Sequence, residues 1–231
     1  GAAAEGYFNI IKQGYPEYRG MPEIIYHLAR LYEQQGHFDK AMRYYKRVFE
    51  DETQNKYIAD AGIGYGKALF RKMQYFNSLA VLNYVVKSSP RKVYSSPELL
   101  LAIGNANFEV GLAKESRRAL TRVLNLFSDI KNPDVILSRI ADTYGMENNR
   151  TRAVKLYELV RTKFPDSEGF IASSIGIARY MKDNKEKIKI YEMIKRKFPD
   201  NKYARIAMMR LAEIYQADGK YNECIKEIED L

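Results

Sequence analysis

The sequence predicts an all-α solenoid of stacked helix–turn–helix units, and three observations carry that reading. Residues 157–166 and 191–200 repeat Tyr157/Tyr191, Phe164/Phe198, Pro165/Pro199 and Asp166/Asp200 at an offset of 34 residues. A fixed period in that range marks an array of helical hairpins. Five pairs of small residues stand 12 apart: Ala29 and Ala41, Gly66 and Ser78, Gly104 and Ser116, Ala141 and Ala153, Ala212 and Cys224. Packed helix axes lie about 8–10 Å apart only where side chains are small, so the constant spacing means one hairpin geometry used repeatedly. Gly and Pro supply the third signal. Gly36, Gly111 and Gly219 stand where first helices end, and Pro165 and Pro199 stand where second helices end.

Taken in order, residues 1–20 read as a partial unit, with Ala4, Phe8, Ile11 and Pro16 spaced as a second helix lacking its first. Residues 22–56 carry Leu28-Ala29-x2-Tyr32 and Ala41-x3-Tyr45. Residues 59–93 carry Tyr65-Gly66-x2-Leu69, Ser78-x3-Leu82 and Pro90. Residues 97–131 begin at the helix start Ser95-Ser96-Pro97-Glu98 and carry Ile103-Gly104-x2-Asn107 and Ser116-x3-Leu120. Residues 134–167 begin at Asn132-Pro133-Asp134 and carry Ile140-Ala141-x2-Tyr144 and Ala153-x3-Tyr157 before Pro165. In residues 168–201, Gly176 is the expected small residue, but the pattern through Tyr191 and Pro199 runs one residue out of step. A shortened turn over residues 182–185 would account for that. Residues 204–231 carry Leu211-Ala212-x2-Tyr215 and Cys224-x3-Ile228 and stop inside a second helix. The whole reads as one array, 1–231, cut from a longer one. Units before Pro133 advance by 37 or 38 residues, which asks for longer second helices or longer linkers.

The unit Ile140-Ala141-x2-Tyr144, Ala153-x3-Tyr157, Pro165 resembles the tetratricopeptide repeat, with its Leu-Gly-x2-Tyr element, Ala-x3-Phe element and closing Pro. The resemblance implies a right-handed superhelix of antiparallel hairpins acting as a non-enzymatic protein–protein interaction scaffold. It also implies a concave groove, lined by first helices, that accepts a protein or peptide. Carried onto this chain, the groove positions are Tyr26, Arg30 and Glu33, then Ile63, Lys67, Phe70 and Arg71. Leu101, Asn105 and Phe108 follow, then Ser138 and Asp142, and finally Met209 and Glu213. Apolar side chains beside charges suit an interface. Chaperone-tail binders of this family grip a terminal carboxylate with Lys and Asn from successive first helices. Tyr26, Arg30, Ile63 and Lys67 occupy those places here, so that clamp is missing. The Phe-Pro-Asp-Ser and Phe-Pro-Asp-Asn endings resemble repeats of bacterial envelope and motility scaffolds, which favours the envelope or periplasm over the cytoplasm.

Composition narrows the chemistry. The 231 residues are 46% hydrophobic and 29% charged, as in folded soluble proteins, and no apolar run approaches the roughly 20 residues a membrane helix needs. No basic stretch followed by an apolar segment opens the chain, so no signal peptide is read. The lone Cys224 excludes an internal disulfide framework and reads as a small buried side chain. His27 and His37 have no metal-ligand spacing. Gly62-Ile63-Gly64-Tyr65-Gly66 follows no strand, so it is helix packing and not a phosphate loop. No nucleophile stands with a base in a recognisable signature, so neither enzyme nor cofactor is expected. The net charge of +9 leaves a competing class, a binder of nucleic acid or an anionic surface through basic helix faces at Arg117, Arg118 and Arg122 and at residues 182–197. Those faces lack the aromatic interleaving of a single-strand groove, which disfavours nucleic acid. Self-association through exposed solenoid ends is a further expectation.

Overall fold

A computed structural model describes residues 18–51 and 55–230, with residues 6, 9, 10, 13 and 14 of the N-terminal segment. The expected second helix over Ala4 to Pro16 rests largely on positions outside the described residues. Among these residues the fold is all-α, with no strand. The chain divides into two compact units, residues 1–128 and 129–231. The first holds α1 (Met21–Gln34), α2 (Phe38–Phe49), α3 (Ile58–Arg71), α4 (Tyr75–Ser88), the single turn α5 (Lys92–Ser95), α6 (Pro97–Glu109) and α7 (Ala113–Leu126). The second holds α8 (Pro133–Met146), α9 (Arg150–Lys163), α10 (Glu168–Ala178), α11 (Asn184–Lys197), α12 (Lys202–Ala217) and α13 (Tyr221–Glu229).

Within each unit every helix packs on its sequence neighbour, and first helices also touch, α3 with α6, α8 with α10 and α10 with α12. This is solenoid packing, in which each hairpin buries its neighbour's apolar face. The small pairs are where the hairpins close. Ala29, Ala141 and Ala153 are wholly buried, and Ala41 nearly so. The Ser78 hydroxyl donates to the Gly66 carbonyl at 2.7 Å, so residues 12 apart in sequence face each other directly. Cys224 is buried in the same slot.

Five turns share one geometry. Their central residues are left-handed: Gly36 (φ 77°), Met73 (60°), Gly111 (83°), Asn148 (56°) and Gly219 (71°). In each, the next amide donates to the carbonyl five residues back, as from His37 to Tyr32, Gln74 to Leu69 and Leu112 to Asn107. This is the Schellman closure that satisfies a helix's last carbonyls. Sequence reading found the three glycines and missed Met73 and Asn148, which adopt the same conformation without glycine's freedom.

The α10–α11 hairpin corrects one expectation. Its turn is not shortened over 182–185. Helix α10 ends early at Ala178, residues 179–183 connect, and the Asp183 carboxylate caps α11 by accepting from the Lys185 amide at 2.8 Å. Gly176 is not the small partner of its own second helix either. A Cβ there would collide with the Tyr157 ring of the preceding hairpin, which is why the register looked displaced. The longer early spacing lies in the linkers, since α2, at 12 residues, is no longer than the later second helices. One linker accommodates α5. The four-residue endings of the second unit perform capping: Ser167 accepts from the Phe170 amide at 3.1 Å and Asn201 from the Tyr203 amide at 3.0 Å.

Helix α3 is held from two sides. A Cβ on Gly64 would stand 2.7 Å from the Tyr45 ring of α2, and one on Gly66 would stand 2.7 Å from Leu82 of α4. The Gly62-to-Gly66 run is therefore a packing device. Tyr32, Tyr45, Tyr157 and Tyr191 are buried, each ring removing about 150–250 Å² from water, whereas Tyr144 and Tyr215 are half-buried. Two outcomes test this packing. Gly66→Val should destabilise the chain by about 1–3 kcal/mol in chemical denaturation, because Leu82 is fully enclosed and has nowhere to move. Met73→Gly should instead raise the melting temperature, since a left-handed non-glycine residue costs roughly 1–2 kcal/mol and the Met73 side chain is 72% exposed.

Candidate functional site

In the first unit, α1, α3 and α6 carry the groove residues expected there. Five of them meet in one place: Lys67, Phe70 and Arg71 from α3 and Leu101 and Asn105 from α6 enclose a cavity of about 290 Å³ with Glu98 and Ala102. Glu98 and Ala102 escaped sequence reading, although Glu98 lies one turn before Leu101 on the same helix. The Phe70 ring leans on Tyr75, centroids 5.2 Å apart. Phe108 lies on α6 outside this cavity and is half-buried.

The neighbouring first helix supplies the electrostatics. Glu33 of α1 accepts from the Tyr45 hydroxyl at 2.7 Å and from Lys67 at 3.1 Å, and Arg71 approaches it at 3.9 Å. Burial alone would push the Glu33 carboxyl up; the Tyr45 hydrogen bond and the Lys67 ammonium outweigh it and hold it below 4.5. Burial, and then the bond to Glu33, push the Tyr45 phenol well above its ordinary range. The Arg71 guanidinium lies over the Phe38 ring at 4.0 Å. Tyr26 stacks on Tyr57, centroids 4.9 Å apart at 26°, and Arg30 is exposed.

The second unit repeats the arrangement. Asp142 of α8 accepts from the Tyr157 hydroxyl at 2.6 Å and faces Arg179, the residue that follows α10, at 3.4 Å. Burial, and then the Asp142 charge, push the Tyr157 phenol up. In both units, then, a buried tyrosine of a second helix anchors an acid of its own first helix, and that acid meets a cation on or just past the next first helix. Sequence reading named each tyrosine and acid but did not join them. Met209 is exposed, and Glu213 pairs with Arg210 at 2.7 Å. Two expected lining residues are corrected. Ile63 is 7% exposed and Ser138 2%, because each points into the helix packing and offers a partner no surface.

Two sequence models, both described as tetratricopeptide repeat, match residues 22–50 and 137–167. These spans coincide with the α1–α2 and α8–α9 hairpins. The chain carries tetratricopeptide repeats. Solved structures with the same fold include the apo form of RapI (TM-score 0.66, 14% identity, covering 96% of this chain and 68% of that one). A tetratricopeptide repeat protein from Parabacteroides merdae ATCC 43184 gives a TM-score of 0.62 at 15% identity, covering 90% and 77%. PilF of Pseudomonas aeruginosa gives 0.61 at 11% identity, covering 89% and 88%. No curated protein sequence matches the chain.

Tetratricopeptide repeats are typically non-catalytic scaffolds, and the repeats support a protein–protein interaction role for this chain. Among the described residues no cluster of three or more His, Cys, Asp or Glu side chains is placed to hold a metal ion, and no helix is long and apolar enough to cross a membrane. The Glu33 contacts give a pH signature. A carboxyl depressed in the folded state contributes stability that is present above its unfolded value and is lost as pH falls through the folded value. Glu33→Gln should therefore lower the melting temperature near neutrality. The gap from the parent should close as pH falls below 4.5; thermal melts at pH 7 and at pH 3 would show it.

Proposed function

We propose that this tetratricopeptide chain is a non-enzymatic adaptor that holds a segment of a partner protein along its first helices. The cavity between α3 and α6 would be the principal docking point. The observation that carries the reading is the convergence of Phe70, Leu101 and Ala102 with Lys67 and Arg71 around one open cavity of about 290 Å³. An apolar floor with a charged rim is the composition of a binding hot spot. Met209 offers a second exposed apolar contact in the other unit, and a single array over residues 1–231 is the organisation this reading assumes.

The basic faces favour the protein reading over nucleic acid. Lys195 is engaged by Glu227 and Asp230 at 2.9 Å, Lys197 by Asp166, and Arg122 lies over Tyr94 at 5.2 Å. Part of that charge is thus committed within the fold. Membership of a larger bacterial envelope or motility-associated protein is supported by the resemblance of the Phe-Pro-Asp endings.

The test is a random-peptide display on the whole chain. Asn105→Trp fills the cavity from a half-buried position and should weaken the selected peptides about tenfold or more, a loss of 1.4 kcal/mol. Arg118→Trp, on the exposed face of α7, should leave them unchanged. Peptides bound equally well by the Asn105→Trp chain would contradict the assignment.

A further inference from the structure

We propose that the α3–α6 cavity selects segments in which an apolar side chain stands close in sequence to an aspartate or glutamate, with Arg71 as the carboxylate anchor and Glu33 as its built-in competitor. The inference rests on reading that cavity as the docking point, and goes beyond it by naming the partner's chemistry.

Polarity is distributed unevenly around the cavity. Both of its cations, Lys67 and Arg71, belong to the α3 wall, whereas its one carboxylate, Glu98, sits on the α6 wall and accepts from Ser96 at 3.2 Å. An incoming carboxylate is therefore drawn to the α3 side and repelled from the other. The two cations also differ. Lys67 is hydrogen-bonded to Glu33 at 3.1 Å. Arg71 comes no nearer than 3.9 Å to the same oxygen, beyond hydrogen-bonding distance.

The Arg71 guanidinium instead lies over the Phe38 ring, 4.0 Å from its centroid, with the side chain 44% exposed. A guanidinium resting over an aromatic face in a side chain nearly half exposed has N–H donors to offer a carboxylate bidentately. Arg71 also lines a second cavity, of about 440 Å³, together with His37, Lys40 and Lys72 and the single acid Asp39. A segment running past Arg71 thus meets more positive than negative charge. Glu33 already touches Lys67 and approaches Arg71, so it offers the cations an internal carboxylate that a ligand must displace. Acidic segments bind against that competition, and neutral apolar segments do not meet it.

The test uses the complete chain and twelve-residue random peptides. Selected peptides should be enriched in Leu, Ile, Phe or Met near Asp or Glu. In fluorescence anisotropy, Arg71→Met should weaken the best peptide about tenfold or more, equivalent to 1.4 kcal/mol, and Arg71→Lys should restore only part because the fork is lost. Glu33→Gln should tighten the acidic peptide about threefold and leave its Gln-for-Glu version unchanged, on the scale of one partly exposed ion pair. Should Glu33→Gln melt below the assay temperature, the two Arg71 variants decide alone.

Peptides that need an open cavity, judged by Asn105→Trp, yet carry no acid and ignore Arg71→Met would overturn the chemistry while leaving the docking point standing. Binders indifferent to Asn105→Trp would overturn both. Chain dimers, or oligonucleotide binding, abolished by Asn105→Trp with no peptide selected would assign the cavity to a different occupant and overturn the proposal.

Discussion

Close approach of helices at small side chains is the constraint on which everything else in this fold depends. A hairpin whose axes must nearly touch tolerates glycine, alanine, serine or cysteine at the contact and little more. Gly104 shows how tight the contact is, since a Cβ there would stand 2.6 Å from the Leu120 side chain. Gly64, beside the Tyr45 ring at 2.7 Å, extends the constraint from within a hairpin to the contact between hairpins. Large rings fill the space that small residues leave, so the two kinds of residue are coupled across the stack. Interiors this dense transmit a misfit to their neighbours.

That coupling reaches the candidate binding face. Tyr45 and Tyr157 are placed by packing, but their hydroxyls emerge beside first-helix acids. Those acids then pair with Lys67 on the next first helix and with Arg179 just past the end of α10. A charged group on the exposed surface is thereby positioned by a ring in the core. The result is a surface whose polar groups are partly preorganised, which lowers the ordering cost of binding. Arg71 is the exception that makes the face chemically usable. An aromatic ring lies against it, and among the described residues no acid is within hydrogen-bonding distance of it.

The hairpin array was legible in the sequence because its determinants are local and periodic. Small residues at fixed spacing, turn glycines, and proline with a capping Ser or Asn each act within a few positions. The left-handed Met73 and Asn148 were not legible, because nothing in those side chains announces the conformation that the hairpin imposes. Gly176 misled for a related reason: a glycine signals close approach without saying which helix approaches. Of the candidate site, five cavity residues followed from helical position alone. Ile63 and Ser138 did not, since a helix face one turn wide cannot be divided into core and rim without knowing how far the next hairpin reaches. The stacking of Arg71 on Phe38 joins residues on different hairpins and has no sequence signature at all.

The most direct test of the packing constraint is a double-mutant cycle between Gly104 and Leu120 in chemical denaturation. Gly104→Ala should destabilise by crowding, and Leu120→Ala should destabilise by about 2–5 kcal/mol by leaving a cavity. Together they should recover part of the loss, because the added methyl occupies the space vacated, giving a coupling energy above about 1 kcal/mol. Losses that simply add, to within about 0.3–0.5 kcal/mol, would show that the two side chains do not compete for one space, and the account of the stack would fail.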